Sequence, residues 1–468
     1  MRTFRASAAV VQHDPPTAVT AVSVPRRGSE YGVLLRQVKQ AGLLDRRTGH
    51  YMWRIAVTTV LLAGGWLAFV LIGESWWQLA VAAFLAIVFT QVGFLAHDAG
   101  HKQIFTSRRA NDTAGILLGN LAVGLGYGFW VDNHNRHHAH PNTDGKDPDI
   151  DFGALAFTAE QAGGRGRFAR LAYRYQAYFF FPLLLLTALS LHVDSAVYLA
   201  RRTRRSRTWE RVLFAAHVIG YLAVVFWVLS PVKAAVFIGV QQGLLGLYLG
   251  VSFAPNHKGM PILAADDASD FLRRQVLTSR NIRRGPLVDA ALGALNYQIE
   301  HDLFPSMPRP NLRRAQPVIA RFCRQHGLPY VQTSLLNSYA QTLRHLNDVG
   351  RNPQPNWPWP PTGIQPAARY PGTHPTATTS DPIPQEAAVR IGAVIVVIWL
   401  IIGVIAATQR GYFSGSSTNC AKASNTIVTI AAGPLNYIGV NPKIHCNVPH
   451  RRNSRRRGGA RPAADGQR

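Results

Sequence analysis

Histidines recur in three short groups along this chain: His97 and His101, then His134, His137, His138 and His140, then His257 and His301. Imidazole is the commonest protein ligand for transition metals such as iron. In His97-Asp98-Ala99-Gly100-His101 the two rings stand four residues apart, so a helix sets them on one face, one turn apart. In His134-Asn135-Arg136-His137-His138-Ala139-His140 the positions i, i+3 and i+4 again gather three rings on one face. Five nitrogen donors are thereby directed into one volume, while His140 falls outside the face and reads as structural. An isolated histidine of this kind is ordinarily a solvated or capping residue at a membrane boundary. Two groups at matched helical spacing, on one predicted face, are not explained that way. The groups read as a metal site.

The elements that must hold these rings are apolar. Hydrophobic residues make up 47% of the 468 and charged residues 16%. Several nearly uncharged runs reach the length that crosses a hydrocarbon layer of ~30 Å. The first two, 55–73 and 77–96, are separated only by Glu74, Ser75 and Trp76, so they form a hairpin whose ends return to one side. Arg46, Arg47 and Arg54 mark that side as cytoplasmic, where His97 and His101 emerge. Further candidates lie at 177–191, 212–230 and 234–253. The first of these is short, contains Pro182 and runs into His192 and Asp194, and is read as an interfacial or re-entrant helix. Four crossings then leave every histidine group on one side. The glycine-rich stretch 115–130 is expected along the membrane surface.

Lys and Arg outnumber Asp and Glu by 50 to 24. The excess gathers beside apolar runs, as at Arg201, Arg202, Arg204, Arg205 and Arg207, and in the final tail. That placement fits loops against anionic headgroups, and no nucleic-acid motif accompanies it. Cys323, Cys420 and Cys446 form no CxxC pair, which excludes a zinc ribbon or an iron–sulfur cluster.

The third group reads Asn296-Tyr297-Gln298-Ile299-Glu300-His301-Asp302-Leu303-Phe304-Pro305. With it, the three groups resemble the histidine boxes H-x-x-x-H, H-x-x-H-H and Q-x-x-H-H of the membrane fatty-acid desaturases, most closely the actinobacterial stearoyl-CoA (linoleoyl-CoA-type) desaturases, over residues 30–345. The resemblance implies an all-α integral membrane enzyme. Four transmembrane helices carry a cytoplasmic helical cap over a centre of two iron ions, and dioxygen and two electrons place a double bond in an acyl chain. Carried over residue by residue, His97, His101, His134, His137, His138 and His301 match iron ligands. His257, in Asn256-His257-Lys258-Gly259, matches the position of an additional ligand. The chain departs from the pattern at Asp302, where the family has a histidine. A carboxylate is a competent iron ligand, but it adds negative charge and shifts the reduction potential. Gln298 matches the glutamine-type third box shared by front-end desaturases and the actinobacterial group.

What the resemblance implies is an acyl-CoA or acyl-lipid desaturase of the delta-9 stearoyl-CoA type, in the plasma membrane with its site on the cytoplasmic side. A front-end desaturase and a lipid hydroxylase are the alternatives, and a membrane scaffold whose metal site Asp302 impairs is another. Neither a haem nor a flavin motif is present, so electrons are expected from an external NADPH-dependent flavin and iron–sulfur reductase. Asp98, Asp147, Asp149 and Glu300 are near enough in sequence to orient imidazoles, although Asp147-Pro148-Asp149 reads equally as a turn and helix cap. Arg309, Arg313 and Arg314 are expected to meet coenzyme A phosphates or lipid headgroups. The expected organisation is a cytoplasmic arm (1–50), the desaturase domain (51–350), a proline-rich linker (351–387) and a C-terminal module (388–468). That module would hold one span at 391–408, Cys420 and Cys446 poised for a disulfide, and a basic tail.

Overall fold

The computed structural model describes residues 29–164, 166–201, 208–351, 403–412, 420–433 and 436. In chain order it contains α1 (Ser29–Gln40), α2 (Thr48–Ile72), α3 (Gln78–Gly100), α4 (Arg108–Ile116), a π-helical stretch (Leu117–Val123), α5 (Tyr127–Ala139), α6 (Ala159–Gly163), α7 (Arg167–Arg174), α8 (Gln176–Leu184), α9 (Thr187–Arg201), α10 (Thr208–Val228), α11 (Pro231–His257), α12 (Phe271–Thr278), α13 (Pro286–Ala291), α14 (Gln298–Leu303), α15 (Arg309–Gln325) and α16 (Leu335–Arg351). The strand content of these residues is one parallel pairing of Asn281–Ile282 with Gln332–Thr333.

Four of these helices, α2, α3, α10 and α11, are long and apolar enough to cross a membrane. They form two hairpins. Gly73, at φ 64°, closes the first, and Pro231 opens the last helix at a position where its missing N–H costs nothing. The turns meet at the end remote from the histidines, where the Glu74 carboxylate accepts from the backbone and hydroxyl of Ser230, each at 2.6 Å. Along the inner faces Leu85, Phe89, Val225, Phe237 and Leu245 form a continuous apolar core. Outward residues stay bare: Leu71 and Trp227 are each 75% exposed, a surface that lipid rather than water must cover. Among the described residues the fold is almost entirely helical, with four helices fit to cross a membrane.

The observed helices overrun the apolar stretches at the histidine end. The last one reaches His257, so this residue stands on the final turn of the helix itself. Two further helix pairs are apolar enough together but sharply bent at a break. α8 and α9 meet at 68°, and the segment holding α4 and the π-helical stretch meets α5 at 115°. The first pair, where a re-entrant helix is expected at 177–191, contains Pro182, and its bend fits a broken span as well as a re-entrant loop. The second differs from the expected surface-lying segment, because Val123 is fully buried among residues of α3 and α10. Glycine permits that close packing: a Cβ at Gly115 would lie 2.1 Å from the ring of Tyr127.

A second core lies in the layer of short helices, where Leu34 and Val38 of α1 pack with Val276, Ile299, Leu303, Leu312 and Ile319. The part of the expected N-terminal arm from Ser29 onward is thus built into this layer. Residues 1–28, the proline-rich stretch, most of the expected span at 391–408, Cys446 and the basic tail lie outside the described residues.

Candidate metal centre

The last turn of α3 presents His97 and His101 with ring centroids 4.7 Å apart. The helix stops immediately afterwards. Lys102 adopts φ 59°, its N–H returns to Ala99 O, and the Gln103 N–H returns to Asp98 O. Gly100, between the two histidines, leaves room for Trp130, since a Cβ there would lie 2.3 Å from the indole ring. Trp130 in turn stacks on His134, with centroids 4.3 Å apart. One turn of α5 supplies His134, His137 and His138, as the i, i+3, i+4 spacing predicts. The short α14 packs Ile299 and Leu303 into the second core and turns His301 to the other side, 4.6 Å from His101 and 5.0 Å from both His97 and His138. His257 meets His137 at 4.7 Å. All seven expected histidines therefore share one contact cluster. Asp302 joins it, 3.4 Å from Nδ1 of His138 and 3.7 Å from Nε2 of His257. His140 caps α5 and lies toward Arg274 instead.

The far side of each ring decides what the near side offers. His257 Nδ1 lies 3.1 Å from the carbonyl of Thr278, and a carbonyl only accepts, so that nitrogen carries the proton and Nε2 presents a bare lone pair. His137 Nδ1 donates in the same sense to Asp147, with both carboxylate oxygens at 3.0 Å. His97 Nδ1 lies 3.3 Å from Asp98, whose other oxygen pairs with Arg309 at 2.6 Å. Burial opposes a charge on His137, yet the Asp147 and Asp149 carboxylates push its pKa up to about 9. Burial and neighbouring imidazoles hold His101, His134, His138 and His301 well below the ordinary imidazole range, which leaves them in the neutral form that ligates metal.

Nε2 of His97, His101, His257 and His301 and Nδ1 of His138 are buried without a hydrogen-bond partner. An orphaned buried polar atom costs about 1–3 kcal/mol. Five in one cluster, aimed at each other, are accounted for by cations rather than by packing. The donor atoms of His97, His101, His134 and His301 all lie within 4.8 Å of one another, as do those of His138, His301 and Asp302. The residues present fit metal ions.

Of the acids expected to orient imidazoles, Asp98 and Asp147 do so, and Asp149 adds a 3.5 Å contact to His137. Glu300 does not. It accepts from Asn281 at 2.7 Å and Tyr330 at 2.6 Å, because adjacent helical residues point about 100° apart and its neighbour His301 takes the direction of the cluster. Burial pushes Glu300 up to about 7. Arg309, expected to meet phosphates, is instead buried in its ion pair with Asp98, while Arg313 and Arg314 remain exposed. Sequence reasoning missed Trp130 and Asn142. Asn142, at φ 46°, donates to the carbonyls of His257 and Pro261 and so ties the end of α5 to the end of α11. Gly100 between two histidines was the one available hint of Trp130.

The pattern of the family described as "Fatty acid desaturase" matches residues 74–334, which include all three histidine groups. The chain is 29% identical over 340 residues to a delta-6 fatty-acid desaturase of Caenorhabditis elegans, covering 69% of this chain and 75% of that protein. It is 32% identical over 281 residues to an acyl-lipid (9-3)-desaturase of Physcomitrium patens, covering 58% and 53%. It is 25% identical over 339 residues to a delta-8 fatty-acid desaturase of Helianthus annuus, covering 68% and 72%. The expected delta-9 stearoyl-CoA type has no counterpart among these three. A glutamine-type third box is common to the front-end and actinobacterial groups, so the boxes alone could not separate them.

Proposed function

We propose, from the premise that this chain belongs to the fatty acid desaturase family, that it is a membrane oxidoreductase placing a double bond in a fatty acyl chain at a front-end position. His97, His101, His134, His137, His138, His257 and His301 would hold two iron ions. Iron, when bound there, supplies the dioxygen-dependent oxidation of an unactivated methylene that side chains cannot perform.

The chain's own residues contribute position and dryness. Asp98 and the Thr278 carbonyl fix the rings of His97 and His257, whose Nε2 atoms are buried without a hydrogen-bond partner, and Asp147 orients the ring of His137. Trp130 and Phe253 pack against His97 and keep water from the cluster. The cluster lies at the ends of α3 and α11, and in this reading a lipid-borne acyl chain reaches it from the membrane.

The relatives named for delta-6 and delta-8 positions support a front-end position over delta-9, and the one named an acyl-lipid desaturase supports a lipid-linked acyl group over acyl-CoA. The burial of Arg309 agrees, because it removes one of the cations expected to meet coenzyme A phosphates. Electrons in this reading come from a separate NADPH-dependent flavin and iron–sulfur reductase. Arg46, Arg47 and Arg54 at the histidine end favour a cytoplasmic site in the cell membrane.

One observation carries the proposal: the three histidine groups inside the family match converge on one buried cluster with orphaned donor nitrogens. Expression in a desaturase-deficient host, with and without a candidate reductase, tests it through the double-bond positions of the extracted acyl chains. A new bond at carbon 6 or 8 is expected. A hydroxylated product alone, or a bond at carbon 9, overturns the front-end reading.

A further inference from the structure

We infer that the cluster divides into two cation sites of unequal chemistry, one ringed by imidazoles alone and one completed by the carboxylate of Asp302. The inference rests on the metal centre proposed above. The first set is His97, His101, His134 and His301, and the second is His138, His301 and Asp302, which His257 flanks at 3.7 Å from the Asp302 carboxylate; His137 groups instead with Asp147 and Asp149.

Distances around Asp302 are those of donors converging on a shared ion. Two ligands each bonded at about 2.1 Å to one ion lie about 3.0–3.4 Å apart between right-angle and tetrahedral geometry. Asp302 Oδ1 stands 3.4 Å from His138 Nδ1, at the upper end of that range, and Oδ2 stands 3.7 Å from His257 Nε2, which two such bonds span at a wider angle of about 125°; both nitrogens are buried without a hydrogen-bond partner. The 3.7 Å separation is too long for a hydrogen bond, so direct pairing does not account for it. An ion between them would.

The surroundings are polarised for a carboxylate at this position. Ser279 Oγ donates to Asp302 Oδ2 at 2.5 Å, and Gln298 Nε2 donates to Oδ1 at 2.8 Å. The orientation of Gln298 is itself fixed: its Oε1 accepts from Asn256 Nδ2, which also donates to the carbonyl of Leu295. Two donors therefore face residue 302. Each carboxylate oxygen accepts one bond and keeps a second lone pair for a cation. Asp302 is thus an integral donor, and Gln298 and Ser279 are its positioning residues. A carboxylate carries a negative charge into one site only, and oxygen donors suit harder cations than imidazole does. The two ions then differ in affinity and in electronic environment.

Anaerobic reconstitution of the purified full chain with ⁵⁷Fe(II), read by iron content and Mössbauer spectroscopy, tests this without any turnover. Native protein is expected to hold about two irons as two distinct quadrupole doublets of equal area. Asp302→Asn is expected to lose about half of its iron and one doublet, Asp302→Glu to regain it, and His97→Ala to weaken the other doublet. A single doublet for both irons in the native protein overturns the inference. So does an Asp302→Asn chain that retains both irons with an unchanged spectrum. Native protein that binds no iron at all would instead overturn the metal centre itself. Should Asp302→Asn fail to fold, the native spectrum still decides between one environment and two.

Discussion

Asp147 has both carboxylate oxygens 3.0 Å from Nδ1 of His137 and also accepts from the backbone N–H groups of Asn142 and Asp149. The two meanings that the sequence offers for Asp147-Pro148-Asp149, turn former and imidazole partner, are therefore one arrangement. Replacing Asp147 with Asn keeps the size and removes the charge. Iron retention against a competing chelator is expected to fall about 10- to 100-fold, with helix content by circular dichroism unchanged. Gly100 is the second residue whose role is decided by contact. With a Cβ 2.3 Å from the Trp130 ring, Gly100→Ala forces the indole off His134. A loss of about 1–3 kcal/mol is expected from this overpacking, measured by thermal unfolding in detergent. Trp130→Leu in the same chain should recover part of it, and a Gly100→Ala chain as stable as the native one would contradict the packing argument.

At the scale of elements, α15 is locked to α3 by one buried ion pair. Arg309 pairs with Asp98 at 2.6 Å, with side chains 9% and 4% exposed, and also donates to the carbonyl of Phe94 at 2.9 Å. The backbone N–H of Arg309 donates to Tyr51 of α2, so one residue binds three elements behind His97. Arg309→Leu leaves the Asp98 charge unpaired in the interior and is expected to destabilise the protein by about 3–5 kcal/mol. The double variant with Asp98→Asn removes that stranded charge and should lose clearly less. A double-mutant cycle on the unfolding midpoints checks this, and additive losses would show that the two side chains do not interact.

For the whole molecule, the cluster is where two cores meet: the span bundle through α3 and α11, and the layer of short helices through α14. Imidazoles from four separate elements have no mutual hydrogen bonds that could replace a cation, apart from the 3.0 Å approach of His134 and His138. Removing iron with a chelator should therefore loosen that seam without unfolding the spans. Hydrogen exchange is expected to accelerate in 131–142 and 296–303 while 80–95 stays protected. Uniform acceleration along the chain would contradict a seam held by metal.

The sequence by itself determined what is local and periodic. Spans follow from uninterrupted apolar length, and the i, i+3, i+4 spacings at His97, His134 and their companions follow from 3.6 residues per helical turn. It also placed the histidine groups at one end, because an even number of crossings returns the chain to its starting side. Tertiary structure alone decided the outward turn of Glu300, the burial of Arg309, the inward packing of 117–123 and the donor groups that meet Asp302. Those depend on partners up to 258 positions away in sequence, as Arg309 is from Tyr51, and no local pattern encodes a contact that only the packing of distant elements creates.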